Sequence, residues 1–142
     1  MKLFRGPDKP AQSYPIQRTD PEWREILGPE AYRILRKHGT ERPGTSPLNG
    51  EKRKGMFACA GCGTPLFSSD TKFESGTGWP SYFQPLGDSV DTTADRSFFM
   101  LRTEVHCAKC GGHLGHVFHD GPPPTGQRYC MNGVAMNFRP EA

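Results

Sequence analysis

Apolar residues near the N-terminus of this 142-residue chain recur at the spacing of a helix. Asp20 can cap such a helix, Pro21 suits its first position, and Glu22 is favourable at its positive end. A short helix is therefore predicted from residue 20. The apolar side of this helix would carry Trp23, Ile26 and Leu27.

A second short helix is predicted directly after the first. Gly28 and Pro29 break the pattern and allow it to restart, so this helix would run from Pro29 to His38. Gly39 is placed to end it, and the basic run 36–38 would face its negative end. The buried positions would be Ala31, Ile34 and Leu35.

From Met56 onward the pattern changes to short alternating runs separated by turn residues, which is typical of β structure. Strands are predicted from Phe98 to Val105 and over residues 134–138. The 17 glycines and 14 prolines have no period and favour many short connections. We therefore expect a mainly β, mostly antiparallel domain with the two helices packed on its outside.

The length of the chain fits a single domain. Residues 1–18 are polar and contain three prolines, so we interpret them as an N-terminal arm preceding a domain over 19–142. Residues 39–55 are polar and basic, and we expect this connection to lie on the surface.

Charge and hydropathy exclude several classes of function. The net charge of +3 is too small to require a nucleic-acid or membrane partner. The N-terminus has neither the apolar core of a secretory signal nor the features of a mitochondrial presequence, and no window could span a bilayer. A cytoplasmic location is expected.

Four of the five cysteines form two matching turns. Cys59 and Cys62 are followed by glycine in the first turn, and Cys107 and Cys110 are followed by glycine in the second. Four thiolates arranged in this way suit tetrahedral zinc, and a closed set leaves no position for catalysis. The alternatives are buried free thiols or redox dithiols, or His106 in place of one cysteine.

The fifth cysteine, Cys130, has an environment suited to a reactive thiol. Arg128 is two residues away and would lie on the same side of a strand, where its charge stabilises a thiolate. The thiolate is the nucleophilic form of cysteine. The alternative is that Cys130 is an ordinary buried apolar residue.

Two further segments offer candidate chemistry. His113, His116, His119 and Asp120 could supply acid–base groups, or the three evenly spaced histidines could form a second metal site. Trp79 lies on a loop rich in glycine and proline, where it could anchor the core or form one wall of an apolar pocket.

These motifs together resemble type B methionine sulfoxide reductases. The resemblance rests on GWPS, the two CxxCG turns, HLGHVFHDGP and RYCMNG, and it runs from about Glu22 to Pro140. It implies two antiparallel β-sheets with N-terminal helices, and a structural zinc remote from the active site. It also implies thiol-dependent reduction of methionine-(R)-sulfoxide, and so repair of oxidised proteins.

The resemblance assigns a role to each candidate residue. Cys130 would attack the sulfoxide sulfur and become a sulfenic acid. Arg128 would activate the thiolate, and Asp120 would orient the polar network. His113 and His116 would bind the sulfoxide oxygen and deliver protons. Trp79 would hold the substrate methyl group, and Asn132 would have a positioning role.

The chain departs from the family pattern at Thr77. Many members have a resolving cysteine at this position, and here the other four cysteines are committed to zinc. We therefore expect an external thiol, from thioredoxin or a glutathione–glutaredoxin system, to reduce Cys130. A monomer acting on free methionine sulfoxide or on oxidised proteins is expected.

Two other classes of protein compete with this interpretation. A zinc-ribbon nucleic-acid binder would fit the pI of about 8.7, but the 18 basic residues are nearly balanced by 15 acidic ones. A purely structural zinc domain would not need the combination of Trp79, the histidines and Cys130.

Overall fold

A computed structural model describes residues 14–95 and 102–141, and within these ranges one broken helix precedes nine strands. The helix α1 spans Asp20–Lys37. The strands are β1 Gly55–Cys59, β2 Pro65–Ser68, β3 Lys72–Phe73, β4 Ser81–Tyr82, β5 Val90–Asp95, β6 Arg102–Cys107, β7 His113–Phe118, β8 Arg128–Met131 and β9 Met136–Pro140. Most of the expected N-terminal arm, residues 1–13, lies outside the described residues.

The two predicted helices are the two halves of α1. Gly28 has φ 79° and ψ 169°, which interrupts the helix at the predicted break. The cap is Thr19, not Asp20, because Thr19 and Glu22 form a reciprocal capping box. At the other end His38, not Gly39, adopts the left-handed conformation that ends the helix.

The second half of α1 packs on the sheet more closely than the first. Ile34 and Leu35 are fully buried, whereas Ile26 is 46% exposed. The break at Gly28 separates the apolar sides of the two halves, so only Trp23 of the first half is deeply buried.

The strands form two antiparallel sheets, which confirms the mainly β fold. The first sheet has the order β2-β1-β9 and the second has the order β3-β4-β8-β7-β6-β5. Aromatic rings join them: Tyr82 of the second sheet stacks on Phe67 of the first with ring centroids 4.4 Å apart, and it contacts Phe57 at 5.1 Å. Large aromatic rings thus supply much of the buried surface in a core that has few aliphatic residues.

The two strands predicted from the sequence are shifted. Strand β6 runs from Arg102 to Cys107, and residues 98–101 of the predicted strand lie outside the described residues. The predicted strand over 134–138 begins instead as a 3-10 turn at Gly133–Ala135, and β9 follows from Met136.

The connection over residues 39–55 is not confined to the surface, contrary to expectation. Glu41 and Ser46 are 7% and 6% exposed, and a 3-10 turn at Pro47–Gly50 follows. The carboxylate of Glu41 accepts hydrogen bonds from the backbone N–H groups of Gly133 and Val134, which draws the segment inward. No helix in the described part of the chain has the length and apolarity needed to cross a membrane.

Candidate active site and metal centre

Both Cys-x-x-Cys turns are the turns of β-hairpins. Cys59 ends β1 and its turn leads to β2, whereas Cys107 ends β6 and its turn leads to β7. Gly63 and Gly111, which follow the second cysteine of each turn, have φ of 80° and 76°. Glycine adopts this left-handed conformation without a steric penalty, which lets the turn close tightly.

The four sulfurs converge at one point. The Sγ atoms of Cys59 and Cys110 are 3.8 Å apart, those of Cys62 and Cys107 are 3.6 Å apart, and all four lie within 4.8 Å of one another. A tetrahedral zinc ion with Zn–S bonds of about 2.3 Å requires sulfur–sulfur distances of about 3.8 Å. The donor set therefore fits a metal ion that joins a hairpin of each sheet.

His106 does not replace a cysteine in this cluster. Its Nε2 lies 3.0 Å from the hydroxyl oxygen of Thr93 and 3.6 Å from a carboxylate oxygen of Glu104.

A row of directly opposed residues crosses the second sheet. Glu104 pairs with His116, His116 pairs with Cys130, and Cys130 pairs with Ser81. Residues that face each other across neighbouring strands project to the same side, with Cβ atoms about 5 Å apart. The register of four strands thus brings an imidazole and a hydroxyl beside the thiol of Cys130.

The thiol of Cys130 lies in a cavity of about 290 Å³. Trp79 and Phe118 supply aromatic surface, and Arg128 and His116 supply polar groups. The full lining is Thr40, Thr77, Trp79, Arg102, Gly115, His116, Phe118, Arg128, Cys130 and Asn132. An apolar wall and a few convergent polar groups are the features of a site for a small molecule or a side chain.

Burial raises the pKa of the Cys130 thiol above its ordinary value. The hydroxyl of Thr77, whose Oγ1 is 3.8 Å from the sulfur, acts in the opposite direction, as do Arg128 and Ser81. The thiol is therefore predominantly protonated near pH 7, and the nearby donors limit the cost of ionising it.

Asp120 contacts Arg128 and lies on the outer side of it. The guanidinium donates to the carboxylate through Nε at 2.8 Å and Nη2 at 3.2 Å, and it also lies 4.4 Å from the ring centroid of Phe118. The Asp120 side chain is 68% exposed. Asp120 therefore acts on the site by orienting Arg128.

A bulge in β7 turns His113 and His116 to the same side of the sheet. Val105 pairs with Gly115, whereas the next residue, His106, pairs with His113, so Leu114 is the extra residue. The two imidazole centroids are 5.7 Å apart. His116 lines the cavity, but His113 lies behind it and is 2% exposed.

His113 contacts groups outside the cavity. Its Nδ1 is 3.3 Å from the carbonyl oxygen of Ile34, and its Nε2 is 3.3 Å from Glu104. Burial lowers the pKa of His113 to about 4, although the charge of Glu104 acts in the opposite direction. His119 is exposed and belongs to no cluster of potential metal ligands in the described residues. His113, His116 and His119 therefore do not form the second metal site that their spacing suggested.

Asn132 fastens the connection over residues 39–55 to the sheet. Its Oδ1 accepts from the backbone N–H of Glu41 at 2.8 Å, and its Nδ2 donates to the carbonyl oxygen of Leu114 at 3.0 Å. Trp79 donates its ring N–H to the carbonyl oxygen of Glu41 at 2.8 Å. These bonds hold one wall of the cavity in place.

Sequence reasoning missed Glu41, Glu104 and His38. Glu41 stood in a polar segment with no periodicity, and Glu104 stood in an alternating strand where a solvent-facing carboxylate is the usual interpretation. Glu104 is only 12% exposed in its side chain, and it contacts three histidines. The nearest signal was the group of three histidines at 113, 116 and 119, which pointed to a polar cluster but not to Glu104 or His38.

Fold and site define a small, mainly β protein with a four-cysteine metal centre and, apart from it, a pocket built around a single thiol. A family model described as the SelR domain matches residues 27–140. The chain belongs to this family, and its resemblance to type B methionine sulfoxide reductases is confirmed.

Curated relatives from bacteria and archaea share about half of their residues with the chain. Each of the following is named peptide methionine sulfoxide reductase MsrB. The relative from Agrobacterium fabrum is 57% identical over 126 residues, covering 88% of this chain and 93% of the relative. Those from Methanosarcina barkeri and Leptospira interrogans are both 54% identical, covering 89% and 91% of this chain and 89% and 99% of the relative.

Proposed function

We propose that the protein reduces methionine-(R)-sulfoxide to methionine, with Cys130 as the nucleophile. The observation that carries this proposal is the cavity in which the Cys130 thiol, an imidazole, a guanidinium and an indole converge. Membership of the SelR family and the names of the relatives support the same reaction.

The first step transfers oxygen from substrate to enzyme. The Cys130 sulfur attacks the sulfoxide sulfur, the oxygen passes to the cysteine, and methionine and a cysteine sulfenic acid result. The thiol proton is retained on the transferred oxygen, so atoms and electrons balance. Because His116 is directly opposite Cys130 on the neighbouring strand, its imidazole is positioned to pass that proton.

Substrate orientation follows from the two kinds of cavity wall. The indole of Trp79 would hold the apolar methyl group, while His116 and Arg128 would face the sulfoxide oxygen. The sulfur atom of methionine sulfoxide is a chiral centre. If the other epimer bound with its side chain in the same place, its oxygen would lie against the indole of Trp79. We propose that this arrangement selects the R epimer, and that His113, Asp120 and Asn132 act by positioning the groups that touch the substrate.

An external thiol would complete the cycle. Thr77, and not a second cysteine, lies 3.8 Å from the Cys130 sulfur, and the four other cysteines form the metal cluster. Two equivalents of an external thiol, from thioredoxin or glutathione with glutaredoxin, would reduce the sulfenic acid and release water and a disulfide. This chemistry and the metal-bound thiolates suit a reducing cytoplasm and a role in the repair of oxidised proteins.

We propose zinc as the ion held by Cys59, Cys62, Cys107 and Cys110. Closed four-sulfur coordination gives the ion a structural role, and when bound it stabilises the hairpin turns without taking part in the reaction. We also propose that residues 19–142 form the reductase domain and that it acts as a monomer.

Turnover of separated sulfoxide epimers tests the reaction. Blocked R and S methionine sulfoxide would be offered with dithiothreitol to the wild type and to Cys130→Ser. We expect turnover of the R epimer alone, and its loss in the variant. Turnover that persists in Cys130→Ser, or that prefers the S epimer, would reject the proposal.

Mass spectrometry of the intact chain tests the intermediate. After a single turnover without reductant, the chain should have gained one oxygen atom, on Cys130. An internal disulfide would instead show a loss of two hydrogens, and would mean that a zinc-site cysteine resolves the sulfenic acid.

A further inference from the structure

Three side chains meet where the C-terminal end of α1 reaches strands β6 and β7. The Nδ1 atom of His38 lies 2.5 Å from Oε2 of Glu104, and Nε2 of His113 lies 3.3 Å from the same oxygen. The three donor atoms all lie within 4.8 Å of one another. This His–Glu–His cluster shares no residue with the four-cysteine centre or with the cavity lining.

A hydrogen-bond acceptor lies beside each ring nitrogen of His113. The carbonyl oxygen of Ile34 is 3.3 Å from Nδ1, and a carboxylate oxygen of Glu104 is 3.3 Å from Nε2. When Nδ1 carries the proton and donates to the carbonyl oxygen, Nε2 presents a lone pair, and a cation between Nε2 and the carboxylate would be bound by both.

The imidazole of His113 is deeply buried, since its side chain is only 2% exposed. A neutral imidazole whose other nitrogen is fixed by a backbone carbonyl is also the form in which histidine binds metal ions.

The backbone of His38 is held in a conformation that brings its ring to the cluster. His38 has φ 60°, and it is the one non-glycine residue of the described chain with a positive φ. This left-handed conformation is unfavourable for most side chains and would suit a glycine at the end of a helix. Here it brings Nδ1 of His38 into contact with Oε2 of Glu104. The other carboxylate oxygen of Glu104, Oε1, is 3.6 Å from Nε2 of His106.

We propose that His38, Glu104 and His113 form a second metal site, which takes a divalent ion of the zinc, nickel or copper class. Two imidazole nitrogens and one carboxylate oxygen suit these borderline ions, whereas magnesium and calcium prefer oxygen ligands throughout.

The contact between His113 and Glu104 has the length expected in such a site. Bonds of about 2.1 Å require neighbouring donor atoms to be about 3.0 to 3.4 Å apart, which matches the contact between His113 and Glu104. Nδ1 of His38 is closer to Glu104, at 2.5 Å, and the His38 ring also contacts the rings of His106 and His113, so a bound ion would require the contact between His38 and Glu104 to lengthen. The His38 side chain is 61% exposed. Water would complete the coordination on the exposed side.

Nickel binding by the zinc-loaded, full-length protein tests the proposal. Isothermal titration calorimetry with Ni²⁺ at pH 7.5 should show one site per chain. His38→Asn should weaken nickel binding at least tenfold, because asparagine tolerates the left-handed backbone but lacks the imidazole. Glu104→Gln should weaken it further, and His119→Asn, which removes an exposed histidine elsewhere, should leave it unchanged.

Other outcomes would overturn the proposal. These are the absence of a nickel site in the wild type, equal affinity in His38→Asn, or an equal loss in His119→Asn. Zinc content and melting temperature without nickel would verify that each variant is folded. Cys130→Ser should bind nickel like the wild type, so the outcome is independent of the reductase reaction.

Discussion

The metal centre and the thiol pocket both depend on cysteine, but the chain builds them in different ways. Each half of the metal centre is a local turn of four residues that closes a hairpin. The pocket instead takes residues that are far apart in the chain, from the 39–55 connection, the loop before β4, strands β6, β7 and β8, and the turn after β8. Local spacing therefore determines the first site, whereas strand register determines the second.

The largest expected effect separates the two kinds of cysteine. Cys107→Ser removes a metal ligand, and the binding energy of structural zinc, about 10–16 kcal/mol in small peptides, exceeds the stability of most domains. We expect this variant to lose its metal and its cooperative unfolding transition, as measured by zinc content and thermal melting.

Cys130→Ser is the matched change in the pocket. It should retain zinc and melt within a few degrees of the wild type. A folded, metal-free Cys107→Ser would show instead that the aromatic core holds the two sheets together without the ion.

The next effect concerns the buried Glu41. Glu41→Ala would leave the backbone N–H groups of Gly133 and Val134 without their acceptor, at a cost of about 1–3 kcal/mol in the free energy of unfolding. Denaturant titration would measure the loss. Glu41→Gln keeps one acceptor oxygen and should lose less; equal losses in both variants would contradict the hydrogen-bond explanation.

A smaller effect concerns the charge beside the thiol. Burial raises the pKa of Cys130 and Arg128 partly offsets this, so Arg128→Met should raise the pKa further. Below that pKa the thiolate fraction falls tenfold per unit, and alkylation by iodoacetamide should slow by up to about tenfold at neutral pH.

Removing the charge of Asp120, the partner of Arg128, is expected to lower the pKa of Cys130. Asp120→Asn releases the guanidinium from its ion pair, so the pH profile of alkylation should move to lower pH. Profiles that coincide for the wild type and both variants would show that Arg128 does not tune the thiol.

The smallest effect concerns a core hydroxyl. The Oη atom of Tyr82 is buried without a hydrogen-bond partner among the described residues, so Tyr82→Phe should raise the free energy of unfolding by about 0.5–1 kcal/mol. Tyr32→Phe is the matched control, because it removes a hydroxyl that donates to Asp20 and should lower stability. A loss of stability in Tyr82→Phe would imply a bonded hydroxyl.

The sequence was sufficient for features that depend on neighbours in the chain. Both cysteine turns and the break at Gly28 were predicted, because glycine, proline and cysteine act through short spacing. The orientation of His113 was beyond reach, because it depends on one extra residue in β7 opposite a strand from elsewhere in the chain. Glu41 is buried because its carboxylate accepts hydrogen bonds from the backbone N–H groups of residues 133 and 134. No pattern in the sequence around Glu41 predicts these distant contacts.

The strand order β2-β1-β9 has a consequence for biosynthesis. As the chain leaves the ribosome, β1 emerges early, but the partner on its other side, Met136–Pro140, emerges only after both cysteine turns. Until then, the edge of β1 that later pairs with β9 would be open to pairing with other nascent chains. Because Cys110 precedes β9 in the chain, the sulfurs of both hairpins are available to a metal ion before that strand has been synthesised, so the ion can hold the two sheets together while β1 still lacks its last partner.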